Sequence, residues 1–338
     1  MFAKTIRLLG AVLILATPTA QGIAAEEYKA DIATLPAGSL AHGVGVALAG
    51  VLSQKTQVKA IAAGYGGPQV LVPLVNQGKA TFSLLNADDV GSAFRGLAPE
   101  YNQTHKNLRL ISNGYVNQVS VLVRKDSPIR SMADLKGKRV TGVFSAHKTC
   151  AKLASAIIAN GGITWDEVKV VPVTSTVPAV QAVGEGRADA ALCAAIDMAV
   201  IKEVNAQVPV RFLSLDNSKA ATERTVQVFG PGRVAKAAGV IPTELDAANA
   251  FFLEYDFYLV GHDKLPDAMI TQVLDVLWNN NKELVEYHKQ FLDWTQPRMA
   301  SVDMTIPYHP ASVAFFKAKG VWTAAMEARQ QELLALAK

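Results

Sequence analysis

The chain has 338 residues and a formal net charge of +4, from 33 Lys and Arg residues and 29 Asp and Glu residues. Half of the residues are hydrophobic, which is enough to form real cores and excludes wholesale disorder, and the length suggests about two domains. The weak, evenly spread charge argues against a nucleic-acid-binding protein. The two cysteines are too few for a four-cysteine zinc site or a dense disulfide framework.

The N-terminus has the three regions of a secretory signal peptide. Lys4 and Arg7 precede an apolar run over residues 8–16, and small residues follow up to Ala25. The run is far shorter than the ~20 residues that span a bilayer. We therefore expect a signal peptide over residues 1–25, cleaved after Ala24 or Ala25, and a mature protein in the periplasm. An uncleaved N-terminal anchor is the alternative.

Short strand-like runs alternate with helical runs through the next two thirds of the chain. The predicted strands are residues 28–35, 58–63, 80–85, 119–124, 139–143, 168–172, 188–193 and 210–213. The predicted helices between them are residues 40–52, 68–76, 89–94, 132–136, 149–160, 177–185 and 198–204. The alternation predicts an α/β protein with parallel sheets covered by helices.

The sequence of the last third predicts that the first domain is interrupted by an inserted one. A long apolar strand over residues 247–259 is followed by an amphipathic helix over 266–289 and a helical end over 310–336. Because these helices have no strands of their own, we expect them to pack on the first block. Lobe I then comprises residues 26–118 and 257–338, and lobe II is the insertion 119–256. Two crossings, near 115–122 and 254–260, would form a hinge that closes the lobes over a cleft.

Polar side chains follow two predicted strands of lobe I, and ligands in open α/β sheets lie at such carboxyl ends. Gly38 and Ser39 stand before a helix, where free backbone N–H groups favour an anion. Ser39 can equally be a plain N-cap. Asn86 is placed to hydrogen-bond across the cleft, and Asp88 or Asp89 is either a helix cap or a partner for an ammonium group.

The loop after the second predicted strand carries further candidates. Gly66 and Gly67 allow backbone to approach a ligand closely, while Tyr65 and Gln69 offer an aromatic wall and an amide. A bare turn is the alternative. Other candidate walls, each of which can also be plain core, are Tyr115, Tyr255 and Tyr258.

Lobe II offers the best anion-site candidate. Ser145, Lys148 and Thr149 follow a predicted strand and open a helix, which places a hydroxyl and an ammonium near a helix N-terminus. A solvated cap with an exposed lysine is the alternative. Asp197 ends another strand on the same side. Cys150 is close to this loop, and Cys193 is close to that strand end. The sequence leaves open whether the two cysteines form a disulfide or remain two buried thiols.

Signatures of common enzymes and metal sites are absent from the sequence. It contains no G-x-S-x-G, H-E-x-x-H, Walker or complete G-x-G-x-x-G pattern, and its six histidines have no metal-ligand spacing. We expect a protein that is not an enzyme and that carries no cofactor and no metal.

The order of the motifs resembles the TAXI family, the extracytoplasmic solute-binding proteins of tripartite ATP-independent periplasmic (TRAP) transporters. The most specific segments are DLKGKRV at 134–140, GRADAAL at 186–192 and the ending PYHP to KGVW at 307–322. The resemblance implies a type II periplasmic-binding-protein fold with two α/β lobes joined by a two-segment hinge. It also implies capture of a small organic anion, a carboxylate or acidic amino acid. The expected partners are integral-membrane TRAP subunits. We expect the solute-binding protein itself to be a monomer.

Two loops depart from the family pattern. The usual G-x-G-S of the first loop is Pro36 to Ser39 here, and the usual G-S-G-T of lobe II is replaced by residues 145–149 with His147 and Lys148 added. The change makes a glutamate-like ligand doubtful and favours an anion of different geometry. Two other readings stay open: the binding component of an ABC importer, and an exported enzyme without a short motif.

Overall fold

The structure, a computed structural model, describes Met1 and residues 27–97, 99–238 and 243–337. Apart from Met1, the predicted signal peptide and its cleavage site lie outside the described residues. Within these ranges, no helix is both long enough and apolar enough to cross a membrane.

Ten strands in the described part of the chain form one mixed sheet. They are β1 (Tyr28–Thr34), β2 (Val58–Gly64), β3 (Phe82–Asn86), β4 (Leu108–Arg124), β5 (Arg139–Val143), β6 (Lys169–Val173), β7 (Ala190–Ala195), β8 (Val210–Leu213), β9 (Arg233–Lys236) and β10 (Phe251–His262). The main order is β2-β1-β3-β10-β4-β7-β5-β6, with β8 paired to β4 and β9 to β10. The α/β fold class predicted from the alternation is confirmed.

Helices cover the sheet. They are α1 (Leu40–Lys55), α2 (Pro68–Asn76), α3 (Ala87–Arg95), α4 (Lys148–Asn160), α5 (Thr176–Gly184), α6 (Ala199–Gln207), α7 (Lys219–Val228), α8 (Asp267–Asn279), α9 (Asn281–Tyr287), α10 (Gln296–Met299), α11 (Pro310–Ala318) and α12 (Ala324–Ala335). Every residue of β3 and of β7 is buried, as expected for strands covered on both faces.

Strands β10 and β4 are neighbours in the middle of the sheet and pair with strands on both sides. The first part of β10 pairs with β9, and its last part pairs with β3. Strand β4 pairs with β10 along most of its length, and its C-terminal part also pairs with β7 and β8. Helix α8 contacts α1 and β2, so this part of the last third of the chain packs on the first sheet block. These two long strands position the site described below.

Several predicted elements differ from the structure. Strand β4 begins at Leu108, although only 119–124 was predicted, and the helix expected at 132–136 is a 3₁₀ turn at Ala133–Leu135. The helix expected at 266–289 is α8 and α9, separated at Asn280. The helical end over 310–336 is α11 and α12. Helix α7 and strand β9 were not predicted.

Candidate functional site

A small, partly open cavity lies between the two long strands and the N-termini of three helices. Its floor is formed by β4 and β10, and its walls by the first turns of α1, α4 and α5. The volume open to the centre of a water molecule is about 20 Å³, room for about one water. In this conformation the cavity is therefore too small for an organic solute.

The floor combines aromatic rings with polar atoms that lack partners. Tyr115 stacks on Phe257, with ring centroids 5.0 Å apart and planes inclined by 15°. Asn117 Nδ2 donates a hydrogen bond to the Tyr255 hydroxyl at 2.7 Å. Tyr115 Oη and Asn117 Oδ1 are buried without a hydrogen-bond partner. Burial raises the pKa of Tyr115 and of Tyr255, so both stay neutral phenols. The unpartnered atoms need a ligand or water.

Three helix N-termini face the same space. Ser39 caps α1 by accepting from the His42 N–H at 3.2 Å, and Thr176 is the first residue of α5. His147 precedes α4, is 5% exposed, and leaves its Nδ1 without a partner. Burial lowers the pKa of His147 to about 4, so the ring is neutral near pH 7. Each N-terminus carries roughly half a positive charge and unpaired N–H groups.

A disulfide joins Cys150, in the first turn of α4, to Cys193 of β7, with the Cα atoms 5.8 Å apart. Of the two states left open by the sequence, the structure shows the disulfide. Both cysteines line the cavity, so the bond fixes the N-terminus of α4 against the end of β7.

Left-handed backbone is concentrated in and just after strands β5 and β7. Among the described non-glycine residues, Val143, Phe144, Cys193 and Asp197 have φ between 46° and 67°, and only Asp246 shares this feature elsewhere. Val143 ends β5 and Phe144 follows it, whereas Cys193 lies within β7 and Asp197 follows that strand. Such conformations cost of order 1–3 kcal/mol each and gather at functional sites. Of the four, Cys193 lines the cavity, so the strained backbone at that position supports the assignment of this region as the site.

The backbone just before α2 contacts the loop before α4. A Cβ on Gly67 would lie 1.6 Å from the Ala146 carbonyl oxygen, so only glycine fits this approach. Gln69 Oε1 accepts a hydrogen bond from the Lys148 N–H at 3.1 Å. These contacts hold the α2 and α4 loops together across the cleft.

A buried carboxylate makes a second contact across the cleft. Asp89 accepts hydrogen bonds from Asn86 Nδ2, from the Tyr101 hydroxyl and from Thr149 Oγ1 of α4. Burial raises the pKa of Asp89 to about 7, against the opposing effect of these donors. Asp88 adds an ion pair with Lys152 of α4 at 3.0 Å. Ionisation of Asp89 is therefore coupled to the contact between α3 and α4.

The structure brings only part of the predicted set to the cavity. Ser39, Tyr115 and the predicted wall Tyr255 line it. The predicted residues that lie in the contacts around it, rather than in its lining, are Gly38, Gly66, Gly67, Gln69, Asn86 and Thr149. Tyr65 is half-buried against the core. Tyr258 is core and donates its hydroxyl to the Asp303 carbonyl oxygen.

Three predicted residues point elsewhere. Ser145 and Lys148 are exposed, and Lys148 lines a surface pocket with Glu100 instead of the cavity. Asp197 forms an ion pair with Lys202 at 2.5 Å and lines a different pocket. That pocket includes Val116, which alternates with Tyr115 and so lies on the opposite face of β4.

Sequence reasoning missed several lining residues. Asn117 and Phe257 come from the long strands, Thr176 from the start of α5, and Cys150 and Cys193, whose disulfide was one of two open predictions, from α4 and β7. The period of two in Tyr115-x-Asn117-x-Val119 was the available signal, because alternate residues of a strand share a face. His147 was noted near the cleft but not chosen as a contact.

The fold and this cavity define the class: the architecture is that of the periplasmic-binding proteins. Over residues 32–320 the sequence matches the NMT1-like family, and the chain belongs to that family.

Among solved structures, one described as a periplasmic transporter has a TM-score of 0.54 at 11% identity, covering 91% of this chain and 96% of that chain. The alkanesulfonate-binding protein SsuA of Xanthomonas axonopodis pv. citri, bound to MOPS, has a TM-score of 0.47 at 16% identity. It covers 93% of this chain and 99% of that chain.

Proposed function

We propose that the chain is an exported solute-binding protein that captures a small organic anion between lobes I and II. It delivers the anion to integral-membrane TRAP subunits for uptake driven by an ion gradient. The observation that carries the proposal is the convergence of three helix N-termini and three unpartnered buried polar atoms on one small cavity. Free N–H groups at helix N-termini are favourable anion sites.

Capture follows from hinge closure about β4 and β10. With lobe I at 26–118 and 257–338 and lobe II at 119–256, only these strands and the chain around them cross. Tyr115 and Asn117 then stay in place while α1 of lobe I and α4 of lobe II approach the solute. The solute shifts the equilibrium toward the closed form by as much as its affinity for that form exceeds its affinity for the open one.

The membrane partner is the finer part of the proposal. Proteins of similar fold include the binding protein of an amino acid ABC transporter, so an ABC importer is the competing assignment. Uptake by vesicles that contain the cognate membrane subunits distinguishes them. We expect uptake with an imposed sodium gradient and no ATP. Uptake that requires ATP would assign the chain to an ABC importer.

A thermal-shift screen tests the capture itself. Mono- and dicarboxylates, keto acids, aromatic acids, sulfonates, amino acids and neutral sugars are compared on the mature chain. A ligand at about 100 times its dissociation constant adds about 2.7 kcal/mol of stability. If sugars stabilise the protein while no anion does, the proposal is wrong. Mass spectrometry of the recovered ligand separates a binding protein from an enzyme, because a binding protein returns the ligand unchanged.

A further inference from the structure

The cavity lacks charged side chains. Among the described residues that line it, none is Asp, Glu, Lys or Arg, and the one titratable base, His147, is neutral at pH 7 because burial lowers its pKa. The positive potential comes from helix N-termini alone. That potential stabilises one negative group on a ligand and does not stabilise a positive group.

The charged groups just outside the cavity are already occupied or turned away. Asp89 accepts hydrogen bonds from three side chains, Asp197 is paired with Lys202, and the Lys148 side chain is exposed. A second charge on the ligand would therefore be buried without a counter-ion. Such burial is strongly unfavourable unless the charge is paired and hydrogen-bonded.

The polar atoms left over fit neutral groups. Tyr115 Oη can donate to an oxygen of the ligand, whereas Asn117 Oδ1 only accepts and so needs a hydroxyl or N–H hydrogen. Much of the remaining lining is apolar, including Leu35, Val119 and Met198. An apolar part of a ligand can pack against these side chains without leaving a hydrogen-bonding group unpaired.

We infer that the ligand is a monoanion whose body is apolar apart from one neutral hydrogen-bond donor such as a hydroxyl. The inference rests on the proposed function and narrows it, because it excludes dicarboxylates and zwitterionic amino acids.

Two matched compound series test the inference by isothermal titration calorimetry on the mature chain. The aliphatic series is butyrate, 4-hydroxybutyrate, succinate and 4-aminobutyrate; the aromatic series is benzoate, 4-hydroxybenzoate, terephthalate and 4-(aminomethyl)benzoate. In the series that fits, we expect the two monoanions to bind and the doubly charged counterparts to bind at least about 100-fold more weakly. A smaller difference overturns the inference but leaves the proposed function standing. If no anion binds in these series or in the thermal-shift screen, the proposed function itself fails.

A variant tests the same point from the side of the protein. Asn117→Asp puts a carboxylate in the cavity with little change of shape, and we expect it to weaken binding of the best monoanion at least about 100-fold. Asn102→Asp makes the same charge change at an exposed position and should leave affinity unchanged. Tyr115→Phe removes one hydroxyl without adding charge and should weaken binding about tenfold. Asn117→Asp binding with wild-type affinity would overturn the inference.

Discussion

Replacing Gly67 by alanine should block closure without damaging either half of the molecule. The residue has φ of 175°, extended backbone that alanine adopts freely, so the open form accommodates the new methyl group. In the closed form its Cβ would lie 1.6 Å from the Ala146 carbonyl oxygen, whereas real Cβ contacts essentially never fall under 3.0 Å. The two loops must therefore separate by about 1.4 Å or more.

That separation has a calculable cost. It lengthens the hydrogen bond from the Lys148 N–H to Gln69 Oε1, now 3.1 Å, beyond the useful range. It also strains the bond from Thr149 Oγ1 to the Asp89 carboxylate. A neutral hydrogen bond contributes about 0.5–1.5 kcal/mol and a charged one about 1.5–3. The closed form should lose about 2–4 kcal/mol, so ligand affinity should fall about 30- to 1000-fold.

Calorimetry and small-angle scattering measure the two parts of this expectation. With the best anion from the screen, Gly67→Ala should bind more weakly and keep a larger radius of gyration than the wild type. Its melting temperature without ligand should be unchanged or higher, because alanine lowers the entropy of the unfolded chain. Gly66→Ala is the matched control, since its Cβ would meet only the Ala146 Cβ at 3.4 Å. Wild-type affinity and compaction in Gly67→Ala would refute the reasoning.

Three further predictions concern the buried acid, the disulfide and the exposed lysine. Asp89 has a raised pKa, so its stabilisation is complete below pH about 4 and is lost as pH rises toward about 7. The difference in unfolding free energy between the wild type and Asp89→Asn should fall as pH rises through that window and stay level above it. Urea titrations at several pH values measure this difference, and a difference that does not change with pH contradicts the prediction. Cys150→Ser/Cys193→Ser, which opens a disulfide spanning 43 residues, should unfold with about 4 kcal/mol less free energy, and a loss under about 1 kcal/mol would contradict a native disulfide. Lys148→Ala should keep ligand affinity within about threefold by calorimetry, because the side chain is exposed; a loss of tenfold or more would restore it as a ligand contact.

Local signals were sufficient for much of the fold. Helix α2 has the predicted bounds because Pro68 suits a first helical turn. Strand β5 also has its predicted bounds, Arg139–Val143. Strand β4 was largely missed because its first part is polar. Ser112 is buried there, where it donates to the Asn113 carbonyl oxygen and accepts from Trp294 Nε1 at 3.1 Å, a partner far away in the sequence.

The site was harder to predict than the fold for the same reason. Sequence patterns indicate which loops follow strands, but the direction of each side chain depends on tertiary register. Lys148 is the first residue of α4, and its backbone faces Gln69 while its side chain is exposed. Asn117 reaches the cavity only because β4 extends unbroken through the crossing.

The two sides of the cavity are built differently, and this difference explains how closure can depend on ligand. On the side of α4 and β7, left-handed residues such as Cys193 are kept in place by the disulfide to Cys150. Strained backbone persists only where its surroundings over-determine it, so this surface is formed before a solute arrives. The opposite side contributes a glycine approach at Gly67 and hydrogen bonds that exist only when the halves meet. Under the proposed hinge closure, the free energy that distinguishes the closed form from the open form therefore resides in those contacts and in the ligand. A single methyl group at Gly67 should then be enough to change that balance.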